Sequence, residues 1–157
     1  MVHVNWYERI WMTFGFAMLA VFLATITTAA VVDGIVPPSA GTRIDPTRVA
    51  QTPPFDKPGL RKVGERSYEA YYVAHVFTFA PAKITVPRGS RVTFYVTTPD
   101  VVHGFSIPET GVNVMAVPGW VSSVAHTFNR PGTYLLICNE YCGAGHQLME
   151  AQVEVTP

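Results

Sequence analysis

The chain has 157 residues, 48 % of them hydrophobic and 14 % charged, with a formal net charge of zero. That length holds one domain of ordinary size plus an appendage. Zero net charge supplies neither the basic footprint of a nucleic-acid binder nor an acidic tail, so no nucleic-acid partner is expected.

The apolar excess lies near the N-terminus. Residues 10–32 carry no charged side chain, and roughly 20 such residues cross a hydrocarbon core as a helix. Residues 1–33 therefore read as a transmembrane anchor in contact with lipid. A cleaved signal peptide competes with this reading, and the small residues at 27–30 favour it. Its apolar core is shorter, however, roughly 7–15 residues behind a basic start, whereas here Glu8 stands beside Arg9. A buried soluble helix is the weaker alternative, because the segment is apolar on all its faces. Trp6, Tyr7 and Trp11 suit an aromatic belt at the membrane surface. Arg9 before the run and Asp33 after it favour a cytoplasmic N-terminus, with the remaining chain on the far side.

Residues 34–60 contain Pro37, Pro38, Pro46, Pro53, Pro54 and Pro58. So many prolines exclude a continuous helix and predict an extended, rather stiff connector. From about Arg61 the pattern turns to short runs rich in Val, Thr, Tyr and Phe: YEAYYVAHVFTF, KITVP, RVTFYVTT, WVSSVAHTF, GTYLLIC and MEAQVEVTP. The punctuation between them is PRG, TPD, VPG and RPG. RVTFYV and QVEV alternate as half-buried strands do, while TYLLIC reads as buried on both faces. Residues 61–157 are thus expected to form an all-β domain, a Greek-key sandwich.

Two cysteines, the only ones in the chain, fall at Cys138 and Cys142, followed by His146 and Met149. Two thiols, an imidazole and a thioether occupy twelve residues between two strand-like runs. Gly143 and Gly145 disfavour a helix there, so convergence must come from loop curvature. Having no side chain, these glycines would also let backbone approach a metal closely. His103 lies upstream at the end of another strand-like run, and in such a sandwich it could close the site. Thiolate with thioether selects soft ions, and Met is a weak axial donor to copper but a poor zinc ligand. Structural zinc more often shows two Cys pairs. A mononuclear blue-copper site takes one Cys, which leaves one thiolate over here; two thiolates can bridge two coppers. A Cys138–Cys142 disulfide or a redox thiol pair is the plainer alternative outside the cytoplasm, but neither requires His146 and Met149.

The string C-x-E-x-C-x3-H-x2-M, with D-V-V-H-G-F upstream, resembles the CuA motif of the cytochrome c oxidase subunit II family. The resemblance implies a cupredoxin-like fold and a binuclear copper centre. Cys138 and Cys142 would bridge the metals, and His103 and His146 would be terminal ligands. Met149 and the backbone carbonyl of Glu140 would be weak axial donors. One transmembrane helix rather than two resembles the shorter subunit II of B-type, ba-type oxidases. That implies a place in the plasma or inner membrane, with the copper domain on the periplasmic or extracellular side. Electrons would come from cytochrome c or a small copper protein and pass to haem in oxidase subunit I. Subunit I would carry out oxygen reduction and proton translocation.

In the common pattern of the family, the carboxylate at the position of Glu140 also helps hold magnesium against subunit I; a solvated surface Glu is the competing reading. The stretch around Glu8 resembles the start of the B-type helix, where a carboxylate lies near a proton-channel mouth. The helix dipole alone also favours an acid there. A nitrous-oxide reductase shares the copper domain but needs a much larger chain, and a quinol oxidase subunit lacks the ligands. A copper chaperone with C-x3-C would not need His146 and Met149 at these spacings. His3, His75 and His126 read as ordinary exposed or hydrogen-bonded histidines. Phe77 and Phe79 read as core, with Phe77 placed by the resemblance to cover the copper, and Trp120 as turn packing or a partner contact.

Overall fold

The computed structural model describes residues 5–32 and 39–157; His3, Asp33, Pro37 and Pro38 lie outside them. The chain divides into two compact units, Met1–Ile35 and Val36–Pro157.

The first unit is one helix, α1 (Trp6–Val32), long and apolar enough to cross a membrane and with no residue buried by the protein. Its start is a capping box. Asn5 Oδ1 accepts from the Tyr7 amide at 2.7 Å, while Glu8 Oε2 accepts from the Asn5 amide at 2.8 Å, so each side chain satisfies an otherwise orphan donor. The hydroxyls of Thr13 and Thr25 donate to the carbonyls of Arg9 and Val21. That settles their polar groups within the helix, as an apolar surrounding requires.

The second unit is a two-sheet β sandwich. One sheet runs β1 (Ser39–Arg43), β9 (Trp120–Phe128), β6 (Ser90–Thr97), β3 (Ser67–His75), β2 (Gly59–Lys62), with β4 (Thr78–Ala80) also paired to β3. The other runs β5 (Lys83–Pro87), β11 (Glu150–Thr156), β10 (Gly132–Ile137), β7 (His103–Ser106), β8 (Asn113–Ala116). The β3–β6 and β5–β11 pairs are parallel, and the others antiparallel. Along β6, Val92, Phe94 and Val96 point inward, and along β11 Ala151, Val153 and Val155 do, the two-residue alternation expected of strands with one buried face. Between the sheets Tyr72, Phe94, Phe105 and Phe128 form a chain of tilted and edge-to-face rings, the offset arrangement that aromatic quadrupoles favour.

Three local expectations differ from this fold. The run YEAYYVAHVFTF is not one strand but β3 and β4, folded back so that His75 pairs with Thr78. TYLLIC is buried on one face only: Leu136 is fully buried and Leu135 is 42 % exposed, because β10 has the core on just one side of its sheet. The proline-rich stretch also does more than connect. From Ser39 onward it supplies β1, a 3-10 turn (Pro46–Gln51) capped by Asp45, and β2. Val49 and Phe55 from this stretch meet Val121 in a second small core, packed against Tyr71, Val73 and Tyr95 on the outer face of the larger sheet. Its prolines lie mostly between the strand ladders, where the missing N–H costs nothing.

Candidate metal centre

β7 and β10 lie side by side, with Ile137 opposite Ser106. The residue at the head of β7, His103, therefore stands next to the loop that follows β10. That loop, residues 138–149, closes where the Cys138 amide donates to the Met149 carbonyl at 3.2 Å. Inside it a 3-10 turn (His146–Leu148) is set by the amides of His146, Leu148 and Met149 on the carbonyls of Gly143, Gly145 and His146. Backbone bonding thus curls the loop and turns its soft side chains to one centre.

The donor atoms come together. One nitrogen of His103 and the sulfurs of Cys138 and Cys142 lie within 4.8 Å of one another. Both thiols are free and buried, with sulfurs 3.8 Å apart, so one ion at a metal–sulfur distance of roughly 2.3 Å reaches both. His146 Nδ1 is 3.6 Å and Met149 Sδ 3.8 Å from the Cys142 sulfur. The Glu140 carbonyl lies 3.1 Å from the Cys138 sulfur, while its carboxylate-bearing side chain is on an exposed residue. Burial, with the neighbouring Cys138 thiol, pushes the Cys142 thiol up to about 11. It carries a proton at neutral pH that a metal must displace.

His103 carries the sharpest signal. The residue is fully buried, its Nε2 lies 2.8 Å from Asp100 Oδ1, and its Nδ1 has no hydrogen-bond partner among the described residues. A buried polar atom without a partner is costly, and an ionised carboxylate only accepts. The proton is therefore on Nε2, and Nδ1 offers a lone pair inside the protein. Asp100 Oδ1 also accepts from the Thr98 hydroxyl and the Val101 amide, each at 2.7 Å. Oδ2 accepts from the Val76 amide at 2.8 Å and faces His75 Nδ1 at 2.8 Å. Partial burial alone would raise this carboxyl's pKa. The hydrogen bonds from His103, Val76, Thr98 and Val101 outweigh it and hold the group well below the ordinary carboxylate range.

Sequence reasoning quoted Asp100 and Gly104 within D-V-V-H-G-F but gave neither a role. A Cβ on Gly104 would lie 2.6 Å from the Asn139 amide and 2.7 Å from the Glu140 amide, and would collide with the Asn139 side chain. Only glycine lets the ligand loop lie this close to β7. Gly143, whose φ of 130° lies in the region that favours glycine, and Gly145 sit at the turn of the ligand loop. The space their missing side chains leave is taken by the Phe77 ring, 3.0 and 2.5 Å from where the two Cβ atoms would be, so Phe77 lies on the ligand loop. Phe79 is core, edge-to-face with Phe105. Trp120 lies under the Arg43 guanidinium at 4.5 Å. His126 is half-buried, its ring edge-to-face with Phe128, and desolvation lowers its pKa. Glu8 belongs to the other unit and is engaged in the cap of α1.

The chain is similar to known proteins. Residues 70–156 match the family described as cytochrome C oxidase subunit II, periplasmic domain. A cytochrome c oxidase subunit 2 of Thermus thermophilus is 44 % identical over 153 residues, covering 95 % of this chain and 91 % of that one. A chain from a cryo-EM structure of a heme-copper terminal oxidase dimer superposes with a TM-score of 0.79 at 33 % identity, across 95 % of this chain and 99 % of that one. The periplasmic domain of cytochrome oxidase subunit II from Bradyrhizobium japonicum shares the fold, with a TM-score of 0.52 at 20 % identity over 56 % of this chain and 83 % of that one.

Proposed function

This chain belongs to the cytochrome c oxidase subunit II family, and from that premise we propose that residues 103 and 138–149 hold a binuclear copper centre through which electrons enter the oxidase. The protein is the electron-entry subunit of a haem–copper terminal oxidase, with a cupredoxin-like domain and one apolar N-terminal helix. Cys138, Cys142, His103 and His146 would hold the metal, with Met149 and the Glu140 carbonyl as weaker donors. The donor chemistry fits: two thiolates, two imidazoles and a thioether suit soft copper ions. When bound, a pair of coppers sharing one electron supplies a one-electron relay with little change in bond lengths.

The residues of the chain prepare that relay. Asp100 fixes the tautomer and ring plane of His103, Phe77 and the surrounding strands keep water from the sulfurs, and the loop's backbone bonds hold the thiols close. A site so held binds its metal with little rearrangement. The reading extends to partners. Subunit I carries the haems that receive the electron, and the donor is cytochrome c or a small copper protein. Arg9 before the apolar run favours a cytoplasmic N-terminus, which puts the copper domain on the outer side. The exposed Glu140 carboxylate is offered to a magnesium ion at the subunit I contact; magnesium retained by a Glu140→Gln complex would remove that role. The Glu8 carboxylate is accounted for by its cap, so Glu8→Gln, which still caps, should leave turnover of the whole oxidase within about twofold. A many-fold loss would restore proton entry there.

One observation carries the copper reading: a fully buried His103 with an unpartnered Nδ1 and a ring nitrogen within 4.8 Å of two free thiols. The test is the full-length chain in detergent, loaded with copper, oxidised, and measured for copper per chain and by EPR. Two coppers with hyperfine structure from an electron shared equally by both nuclei are expected. One copper with a mononuclear pattern, or none, would overturn the reading.

A further inference from the structure

An imidazole that holds a metal needs its other nitrogen fixed, since the ring can otherwise turn and present the wrong atom. For His103 that anchor is Asp100, and Asp100 is itself held from two sides. Oδ1 takes Thr98, the Val101 amide and His103; Oδ2 takes the Val76 amide and His75. Among the described residues His75 is the one side chain acting on the oxygen that His103 does not use. It is also the solvent-facing end of the chain of contacts, its side chain 57 % exposed against 0 % for His103. His75 Nδ1, Asp100 and His103 Nε2 form a continuous line of two 2.8 Å contacts from the surface to a metal ligand.

We propose that His75 is a positioning residue for the copper centre, acting through Asp100 on His103. Because the ionised carboxylate only accepts, His75 must present Nδ1–H to Oδ2. That hydrogen bond draws negative charge toward Oδ2 and away from Oδ1, and so limits how strongly Asp100 pulls on the Nε2–H of His103. Removing it leaves more charge on Oδ1, makes the His103 ring a stronger donor at Nδ1, and favours the oxidised metal over the reduced one. The inference rests on the copper reading above and deepens it. It assigns a role to a histidine that sequence alone reads as an ordinary hydrogen-bonded one.

The experiment compares His75→Leu, which removes the donor, with His75→Asn, whose side-chain amide nitrogen stands where Nδ1 does. Both are made in the full-length chain in detergent. His75→Leu should bind copper at the wild-type ratio but shift the oxidised-to-reduced ratio, read against a fixed redox buffer, about threefold to tenfold toward oxidised, less than direct loss of an outer partner gives. The Nε2–H proton resonance of His103 in the metal-free chain should move in the same variant. His75→Asn should return both readouts toward wild type. Unchanged readouts in His75→Leu, or a change that Asn does not reverse, would overturn the role. Because the proton resonance is read without metal, a wild type that takes up no copper pair would sink the copper assignment while this resonance still decides for or against His75.

Discussion

His103 and the loop of residues 138–149 supply one site by different means. His103 is placed by side chains: it heads β7, fully buried, with a single carboxylate fixing its Nε2. The loop is placed by backbone, through the Cys138–Met149 closure and the turn around His146, and by a glycine on the neighbouring strand that lets it come close. The difference teaches where each half is vulnerable. The loop fails when its path is blocked, and the histidine fails when its anchor is altered.

Blocking the path should have the largest effect. Gly104→Ala puts a methyl group against the Asn139 and Glu140 amides, and backbone cannot yield as a flexible side chain does. A loss of about 3 kcal/mol in unfolding free energy is expected, the upper part of the range for overpacking, together with loss of the second copper. Denaturant melts and copper per chain measure the two. A variant as stable as wild type with two coppers would show that the loop is held by its own bonds alone.

Altering the anchor should be milder and chemically distinct. Asp100→Asn keeps the shape but weakens the pull on His103 Nε2, and outer partners of this kind change metal affinity by about 10- to 100-fold. The metal-free chain should also change its acid profile. The native carboxyl titrates below its ordinary value near 3.9. It contributes stability that is full above that unfolded value and is lost as pH falls toward the native one. Stability of the wild type should therefore drop below about pH 5, and more steeply than that of Asp100→Asn. Parallel acid curves would mean that the five contacts on Asp100 do not favour its charged form.

Much of the loop half was legible before any coordinates. The soft donors are spelled out within twelve residues, and the two glycines announce a turn. The histidine half was legible only at His103 itself. Asp100 falls in a Thr-Pro-Asp string that reads as an ordinary turn, and its five contacts arise only when the ends of β3 and β6 meet. Gly104 looks like any glycine beside a histidine, because the atoms that require it lie more than thirty residues onward. The proline-rich stretch misled for a related reason. Proline content marks where a helix cannot form, yet it was Val49 and Phe55 that decided the path by finding Val121 on the far side of a sheet.

Loading the site with metal at different pH values tests both halves at once. The Cys142 thiol, raised to about 11 by burial and by Cys138, must give up its proton to copper. Apparent affinity should therefore rise with pH, about tenfold per unit for each thiol proton displaced. Competition titrations between pH 6 and 8 read that slope. Asp100→Asn should lower the line without changing its slope, because both thiols remain in place.

The smallest effect concerns the contact between the loop and Phe77. A methyl group at Gly145 would lie 2.5 Å from the near edge of the Phe77 ring, close to its attachment point, where the side chain has least freedom to move. Gly145→Ala should cost about 1–2 kcal/mol, with the copper ratio unchanged because the ring, rather than a ligand, takes the strain. In a Phe77→Leu background the same substitution should cost about 1 kcal/mol less, the coupling that residues in direct contact show. A full cost in both backgrounds would mean that Gly145 is required by the turn that places His146. The loop would then depend on backbone conformation alone, and Phe77 would serve only to shield the sulfurs.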